Sequence, residues 1–404
     1  MIDLQARRRW LVGACALLAP TAFVAGVANG PAAAATAASP CFDVDQFLGG
    51  AGHAGSGMAT AGITGSPTLL WTSPSSGQMP ASPAIVDGIA YVADGLLGTG
   101  AIRAIDTATG AELWNAPLPG QPFGSTVAVV DGLAVVGDID GNLTAIDTAT
   151  HGEAWTVALA TTISSSPAVA DGVLVINAED TVYALDPVTG TTLWTFENGG
   201  DGGYTIESSA AIVDGIVFTT SIGGDGGTSL WALDAATGDE IWSYEPSQAG
   251  LGTPAYHDGT VYAGGPGGLV AVDAETGEEV WASPVGDVFS APAVGDDLII
   301  AHTNRDLVAV DAATGDEVWR ADTGGSWSAP TLVDDVVYIG SNGMAFQQSV
   351  QLLDAATGEQ IARIEGFGSV NSPVVVTGGA AYAATAKGLI AIGGAGPSSC
   401  AAAG

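Results

Sequence analysis

The strongest constraint on this chain is a pattern, Asp-x-x-x-Gly-x-x-x-Trp, that returns at intervals of roughly forty residues. It is intact at Asp106/Gly110/Trp114, Asp186/Gly190/Trp194, Asp234/Gly238/Trp242, Asp273/Gly277/Trp281 and Asp311/Gly315/Trp319. Two copies are degraded. Asp147/His151/Trp155 has its glycine displaced to Gly152, and Asp354/Gly358/Ala362 has lost the tryptophan. An eighth copy ends as Gly388-Leu389-Ile390-Ala391-Ile392 without an aspartate, and Leu69-Leu70-Trp71 is a tryptophan strand without one. The two fragments complete each other. Self-similarity at a fixed period of this size means a repeat architecture, in which each unit buries its apolar face against its neighbours.

Each period reads as four short strands. A Ser-Pro-Ala-type strand (Ser82 to Val86, Ser166 to Val169) runs into an Asp-Gly turn at Asp87, Asp131, Asp171, Asp214 or Asp258. Asp-Gly between apolar runs is a strong hairpin signal, because the turn needs positive φ at both residues. Next come a Val-Tyr-Val-type strand (Ile89 to Val92), a Leu-x-Ala-Ile-Asp strand (Leu143 to Asp147) and the tryptophan strand. No segment sustains apolar residues at helical spacing. The reading is all-β: an eight-bladed β-propeller of four-stranded blades over residues 68–394. The strand around Trp71 is expected to become the outer strand of the last blade, formed by 372–392, which closes the ring and hides its edges.

The pattern has a physical reading. The aspartate carboxylate and the threonine hydroxyl bind backbone N–H groups of a tight turn, and glycine takes the position that needs positive φ. The tryptophan then projects sideways between blades. Trp71, Trp114, Trp155, Trp194, Trp242, Trp281 and Trp319 are the expected docking residues. Each buries ~150–250 Å², so truncation to alanine costs about 3–5 kcal/mol.

The stretch Ala104-Ile105-Asp106-Thr107-Ala108-Thr109-Gly110-Ala111-Glu112-Leu113-Trp114 resembles the tryptophan-docking motif of the pyrroloquinoline-quinone-like (PQQ-like) repeat family. The resemblance covers roughly residues 68–394 and implies the propeller fold. In size and bare architecture the chain is most similar to the outer-membrane assembly (BamB-type) propellers of that family. The resemblance also brings in the quinoprotein dehydrogenases, which are larger and share the repeat.

The N-terminal segment reads as an export signal. Arg7, Arg8, Arg9 and Trp10 precede an apolar run from Leu11 to Val27 and a small-residue stretch from Pro31 to Ala38. Residues 1–37 are therefore assigned to a signal peptide, with cleavage after Ala35 or Ala37, and an uncleaved anchor as the alternative. Arg7-Arg8-Arg9-Trp10-Leu11 is compatible with the twin-arginine route as well as the general one. Too few apolar residues precede Cys15 for a lipobox. No second apolar run approaches the ~20 residues of a membrane span. An extracytoplasmic protein, secreted, periplasmic or envelope-associated, is expected.

Loss of 1–37 removes three arginines and Asp3, leaving 5 basic and 42 acidic residues. Such a surface repels phosphate, so nucleic acid is excluded as a partner and an anionic membrane surface is disfavoured. Most of the acids occupy repeat slots on turns and outer strands, as a solvated scaffold. Two cysteines remain, Cys41 in a glycine-rich lead-in (38–67) and Cys400 in a short tail (395–404). Ring closure brings the termini together, and an oxidising compartment favours a Cys41–Cys400 disulfide.

Candidate chemistry is sparse. A quinone enzyme needs cations for the cofactor's carboxylates, calcium ligands and, in the alcohol dehydrogenases, an adjacent cysteine pair. The chain has no Cys-Cys, and its mature cations are Arg103, Arg305, Arg320, Arg363 and Lys387, of which Arg305 alone is considered for a channel site. PQQ and calcium are thus disfavoured, and no cofactor, metal site or catalytic residue is assigned. Asp138-Ile139-Asp140-Gly141-Asn142 resembles the start of a calcium loop but lacks the distant glutamate and reads as a turn. His53, His151, His257 and His302 have no metal-ligand spacing. The glycine-rich stretches 198–203 and 223–227 read as surface insertions.

One slot departs from the repeat. At the mouth of each innermost strand stand Pro80, Gly124, Ser164, Glu207, Leu251, Phe289, Trp327 and Val370. Leu251, Phe289, Trp327 and Val370 form either an exposed apolar patch for a partner or side chains folded under the connecting loops. The preferred function is a non-catalytic, monomeric scaffold binding a protein or peptide through that patch. The alternatives are a PQQ- and calcium-dependent dehydrogenase and a carbohydrate- or cell-wall-binding module.

Overall fold

The computed structural model describes residues 43–394 apart from 51, 56–61, 64–65, 76–80, 97, 161, 198–207, 223–227, 246–251, 289, 304, 326–327 and 343–347. Eight antiparallel sheets of four strands form the blades of a propeller ring. Blades 1 to 7 span 84–118, 128–158, 168–197, 211–244, 255–283, 293–322 and 331–365, with strands in chain order from hub to rim. First strands of neighbouring blades contact one another, which places them around the hub. Blade 8 is composite: strands Val375–Thr377, Ala380–Thr385 and Gly388–Gly393 are completed by Thr68–Pro74, paired antiparallel from Thr68↔Gly393 to Pro74↔Gly388. The sole helical piece among the described residues is a short 3-10 turn, Phe47–Gly49.

The turns follow their chemistry. Asp87 and Gly88 have φ of 51° and 75°, and the other Asp-Gly pairs repeat that geometry. In the Asp-x-x-Thr-Gly turn of blade 3, Asp186 Oδ1 accepts the Thr189 N–H at 2.8 Å and its hydroxyl at 2.9 Å. These bonds hold the Asp186 carboxyl below the usual carboxylate range. Asp273 is lowered in the same way by the hydroxyl and N–H of Thr276.

Between turn and tryptophan lies a feature that repeats in every blade. The outer strand carries a one-residue bulge immediately before the docking position: Ala104 faces Trp114 while Ile105 faces Glu112, so Leu113 is unpaired. The same slip falls at Leu70, Ala154, Leu193, Ile241, Val280, Val318 and Ile361. A bulge raises local twist and re-aims the next side chain. Here it turns each indole toward the following blade, and it disrupts an outer edge otherwise open to strand pairing.

The indole then lies flat against the glycine of the next blade's turn. A Cβ on Gly110 would stand 2.6 Å from Trp71, and one on Gly238 2.6 Å from Trp194; Gly190, Gly277, Gly315 and Gly358 are equally close to Trp155, Trp242, Trp281 and Trp319. Each of these indole N–H groups donates to a carbonyl of that turn, from Trp71 to Thr107 at 3.0 Å through Trp319 to Ala355 at 2.8 Å. In blade 2 the glycine is not displaced. His151 itself occupies the slot at φ 62°, and its imidazole stacks on Trp114 with centroids 4.7 Å apart. Ala362 has an equally direct cause. Blade 8 takes its fourth strand from the other end of the chain, so it has no third-to-fourth turn for a blade-7 tryptophan to meet. Ala362 packs instead against an aliphatic cluster that includes Val350, Ile390 and Ile392.

The serines ahead of the inner strands are structural. Ser125, Ser165, Ser208, Ser328 and Ser372 bond the second strand of their own blade. The next residue links blades: the N–H groups of Thr126, Ser166 and Ser209 donate to the hydroxyls of Ser166, Ser209 and Thr253, and Ser82 Oγ meets Thr126 Oγ1 at 3.1 Å.

Two glycine substitutions separate docking from turn strain. Gly172→Ala meets no atom within 4 Å at φ 77°, whereas Gly238→Ala, at φ 76°, drives a Cβ into Trp194. Denaturant titration is expected to show a loss of ~1 kcal/mol for the first. The second should match Trp194→Ala, at about 3–5 kcal/mol. Equal losses for the two glycines would contradict the docking role.

Candidate functional site

The hub is where a propeller offers free backbone groups, because its innermost strands are sheet edges. In this protein those groups are already engaged. Residues 43–50 and 52–55 run along the inner strands near the Asp-Gly turns and form a strap. Val44 exchanges two bonds of 2.7 Å with Ile85 of blade 1. The Val129 N–H of blade 2 donates to Asp45 O at 2.7 Å, and the Val169 N–H of blade 3 to Gln46 Oε1 at 2.7 Å. Further along, Tyr256, Val294 and Leu332 of blades 5, 6 and 7 donate to Gly52 O, Ala54 O and Gly55 O at 2.9, 2.7 and 2.8 Å. Val44 and Leu48 are buried in a cluster with Ile85, Ala291 and Ala329. The glycines suit this close approach: a Cβ on Gly55 would lie 3.3 Å from Ala293.

Reading the region as a glycine-rich lead-in overlooked the strap. It has no repeat period, and five of its six hub contacts use its backbone carbonyls, which leave no trace in side-chain pattern. The visible signal was modest: Val44, Phe47 and Leu48 are apolar residues stranded among glycines.

The apolar slot divides. Leu251, Phe289 and Trp327 lie outside the described residues. Val370 is fully buried and does not belong to the slot. Its γ-methyl stands 2.5 Å from the Cβ position of Gly340, as Ile163 and Val288 do against Gly137 and Gly264 at 2.3 Å. Counted back from the inner strand Val375–Thr377, the true slot residue of blade 8 is Asn371, which is exposed. Blade 8 turns at Gly378-Gly379, both at positive φ, with Thr377 still in the inner strand, so a count that takes Thr377-Gly378 as the turn falls one residue early; the apolar stretch of the slot ends at Trp327.

On the same face a cavity of about 260 Å³ opens between blades 4 and 5, lined by Leu230, Tyr244, Pro266, Leu269, Val270 and Pro284 among others. Its wall residue Gly264 accepts the N–H of Gly252, the neighbour of Leu251. Tyr244 donates its hydroxyl to Glu279. Burial and this bond push the phenol well above its ordinary range.

The cations do not fit a polyanionic quinone. Arg103 is buried between Asp94 at 3.3 Å and Glu112 at 2.6 Å. Arg320 is held by Glu317 and Asp306, and Arg363 by Glu365. Lys387 Nζ donates to Gly366 O at 2.8 Å, and Arg305 is exposed on a strand-connecting turn away from the strap. No group of three or more potential metal-ligating side chains occurs among the described residues. The Asp138 carboxylate is consumed inside its own turn, accepting the N–H of Asp140 at 3.0 Å and of Asn142 at 2.9 Å. His257 pairs with Asp296 at 2.9 Å, and buried His302 meets Thr323 Oγ1. Cys41 and Cys400 lie outside the described residues, and among those described no helix is long and apolar enough to cross a membrane.

Comparison with known proteins places this geometry. Tetrathionate hydrolase of Acidithiobacillus ferrooxidans is 24% identical over 225 residues, covering 48% of this chain and 43% of that protein, so the match spans less than half of the relative. Among solved structures, BamB from Moraxella catarrhalis superposes with a TM-score of 0.66 at 20% identity, covering 81% of this chain and 99% of its own. Quinohemoprotein alcohol dehydrogenase from Comamonas testosteroni gives a TM-score of 0.70 at 17% identity, covering 88% and 81%. The two solved structures share the fold with this chain. The family described as outer membrane protein assembly factor BamB matches residues 98–248 and 226–397, nearly the whole ring, and the chain belongs to that family of PQQ-like β-propellers.

Proposed function

We propose that the protein is a non-catalytic extracytoplasmic scaffold that binds a protein or peptide partner across its loop face. The observation that carries this reading is the engaged hub. The backbone groups a channel ligand would use on six blades are bonded to the chain's own strap, and the described cations are neutralised or peripheral. Recognition is then left to the opposite face, where the connecting loops enter the inner strands. In the sequence Leu251, Phe289 and Trp327 precede the inner strands of blades 5, 6 and 7, and the cavity beside Gly252 offers an apolar socket on that face. Aromatic and aliphatic anchors in such a setting suit a protein partner. Membership of a family described by a role in outer-membrane protein assembly supports protein partners and an envelope location.

Calorimetric titration of the mature protein with PQQ, with calcium and with both tests the reading first. No heat is expected. Calcium-dependent PQQ binding at micromolar affinity or tighter overturns it in favour of a dehydrogenase. A photo-crosslinker at Phe289 or Trp327 is then expected to capture an envelope protein, and the same label at Leu193 on the rim to capture none; equal capture at both sites, or capture of glycan, counts against the proposed face.

We also propose the Cys41–Cys400 disulfide. Val44 is tied to blade 1, Gly393 ends the third strand of blade 8, and Trp71 of blade 8 docks on blade 1, so the described residues nearest in sequence to the two cysteines belong to adjacent blades. The intact mass of the alkylated mature protein should rise only after reduction. Two thiols reactive without reductant would disprove the bond.

A further inference from the structure

The strap contains one group that neither the fold nor the proposed recognition uses. His53 is fully buried at φ 52°, and neither ring nitrogen has a hydrogen-bond partner. Its one described ring contact is the edge of Phe47, with centroids 5.5 Å apart. A buried imidazole without a partner is tolerated only while neutral. It sits within the strap's anchorage on blades 5 to 7, since Gly52 and Ala54 on either side hold blades 5 and 6.

We propose that residues 43–50 and 52–55 form an acid-releasable strap, in which protonation of His53 undocks the segment and uncovers the inner edges of the blades it bridges. The inference is independent of the partner reading, because it concerns the hub and not the loop face. Burial drives the docked imidazole down to about 3 from an ordinary value of 6.5. The released strap returns it to water. Docking is therefore at full strength above pH 6.5 and weakens tenfold per unit below it, on the order of 10³-fold before the effect saturates near 3.

The other ionisable groups on elements packed against the strap have partners of their own or lie in its apolar cluster. Asp43 on the strap accepts the Asp87 N–H at the exposed turn of blade 1. His257 is paired with Asp296 beyond Tyr256, and Asp334 and Tyr338 of blade 7 receive the N–H groups of Gly62 and Ile63. Tyr382 of blade 8 belongs to the cluster around Leu48. None contributes to the shift at His53, which burial alone sets. Asp45 acts in the opposite sense. Burial raises it, so acid favours its docked form, and the two strap groups oppose each other.

Hydrogen exchange of the inner-strand amides of Ile85, Val129, Val169, Tyr256, Val294 and Leu332, in the mature protein between pH 7 and 3.5, reads the release directly. After correction for intrinsic rates, wild type is expected to lose protection there while the inter-strand ladders of the blades stay protected. His53→Phe and His53→Asn, neither of which can charge, should move the midpoint down by at least one pH unit. Asparagine is included because it tolerates positive φ. Coincident profiles for wild type and both variants overturn the proposal, as does strap protection that survives to pH 3.5 in wild type. If neither variant folds, carbon-13 imidazole resonances of wild type decide. One of the four histidines should stay neutral until the strap amides open and protonate together with them, and titration of all four without amide change overturns it.

Discussion

Flat contact between an indole and a glycine holds this ring together. Every blade but the seventh contributes a tryptophan face and every blade but the eighth receives one, so the unit of stability is the seam between blades and not the blade. The contact works only because three local conditions coincide. The turn must bring backbone forward with no Cβ, which positive φ and glycine at Gly110, Gly190, Gly238, Gly277, Gly315 and Gly358 provide. A carbonyl must wait for the indole N–H, and the bulge before the tryptophan must rotate it out of its own sheet. The spacing of the repeat motif is the sequence trace of those conditions. Blade 2 shows how much variation is tolerated: an imidazole replaces glycine by stacking on Trp114, which keeps a flat surface under the indole.

The hub is less symmetric than the rim. From blade 1 to blade 5 hydroxyls at one slot link neighbouring inner strands, through Ser82, Thr126, Ser166, Ser209 and Thr253. In blades 6 and 7 the same slot holds Ala291 and Ala329, which pack with Leu48 of the strap. One half of the hub is thus laced by polar bonds and the other is filled by apolar packing, and the strap is the element that uses the difference.

What was legible in the sequence follows from periodicity. The blades, the turns and the completion of the last blade by Trp71's strand are written seven or eight times over, so single lapses such as His151 or Ala362 do not hide them. The strap is written once, and it acts through backbone carbonyls that any residue carries. For the same reason the mouth slot was misread at Val370. The frame is counted back from the Asp-Gly turn, and blade 8 has Gly378-Gly379 in its place, so a turn taken one residue early exchanges an exposed position for a buried one. Chemistry that depends on single residues has no period, so the repeat carries no trace of it.

The N-terminal residues have a peculiar place in the order of assembly. The strap must reach Leu332 in blade 7, and Thr68–Pro74 must find Gly388–Gly393. Residues 44–46 meet blades 1 to 3 early, but the rest of this N-terminal stretch has its partners only once the last blades have emerged. Contacts spanning more than three hundred residues have to form at the end of a search, when their loop entropy is greatest. Until that moment blade 1 lacks its neighbour and the nascent ring is an open arc with two bare flanks. Completing the inner and outer contacts of blade 8 and completing the ring are one event.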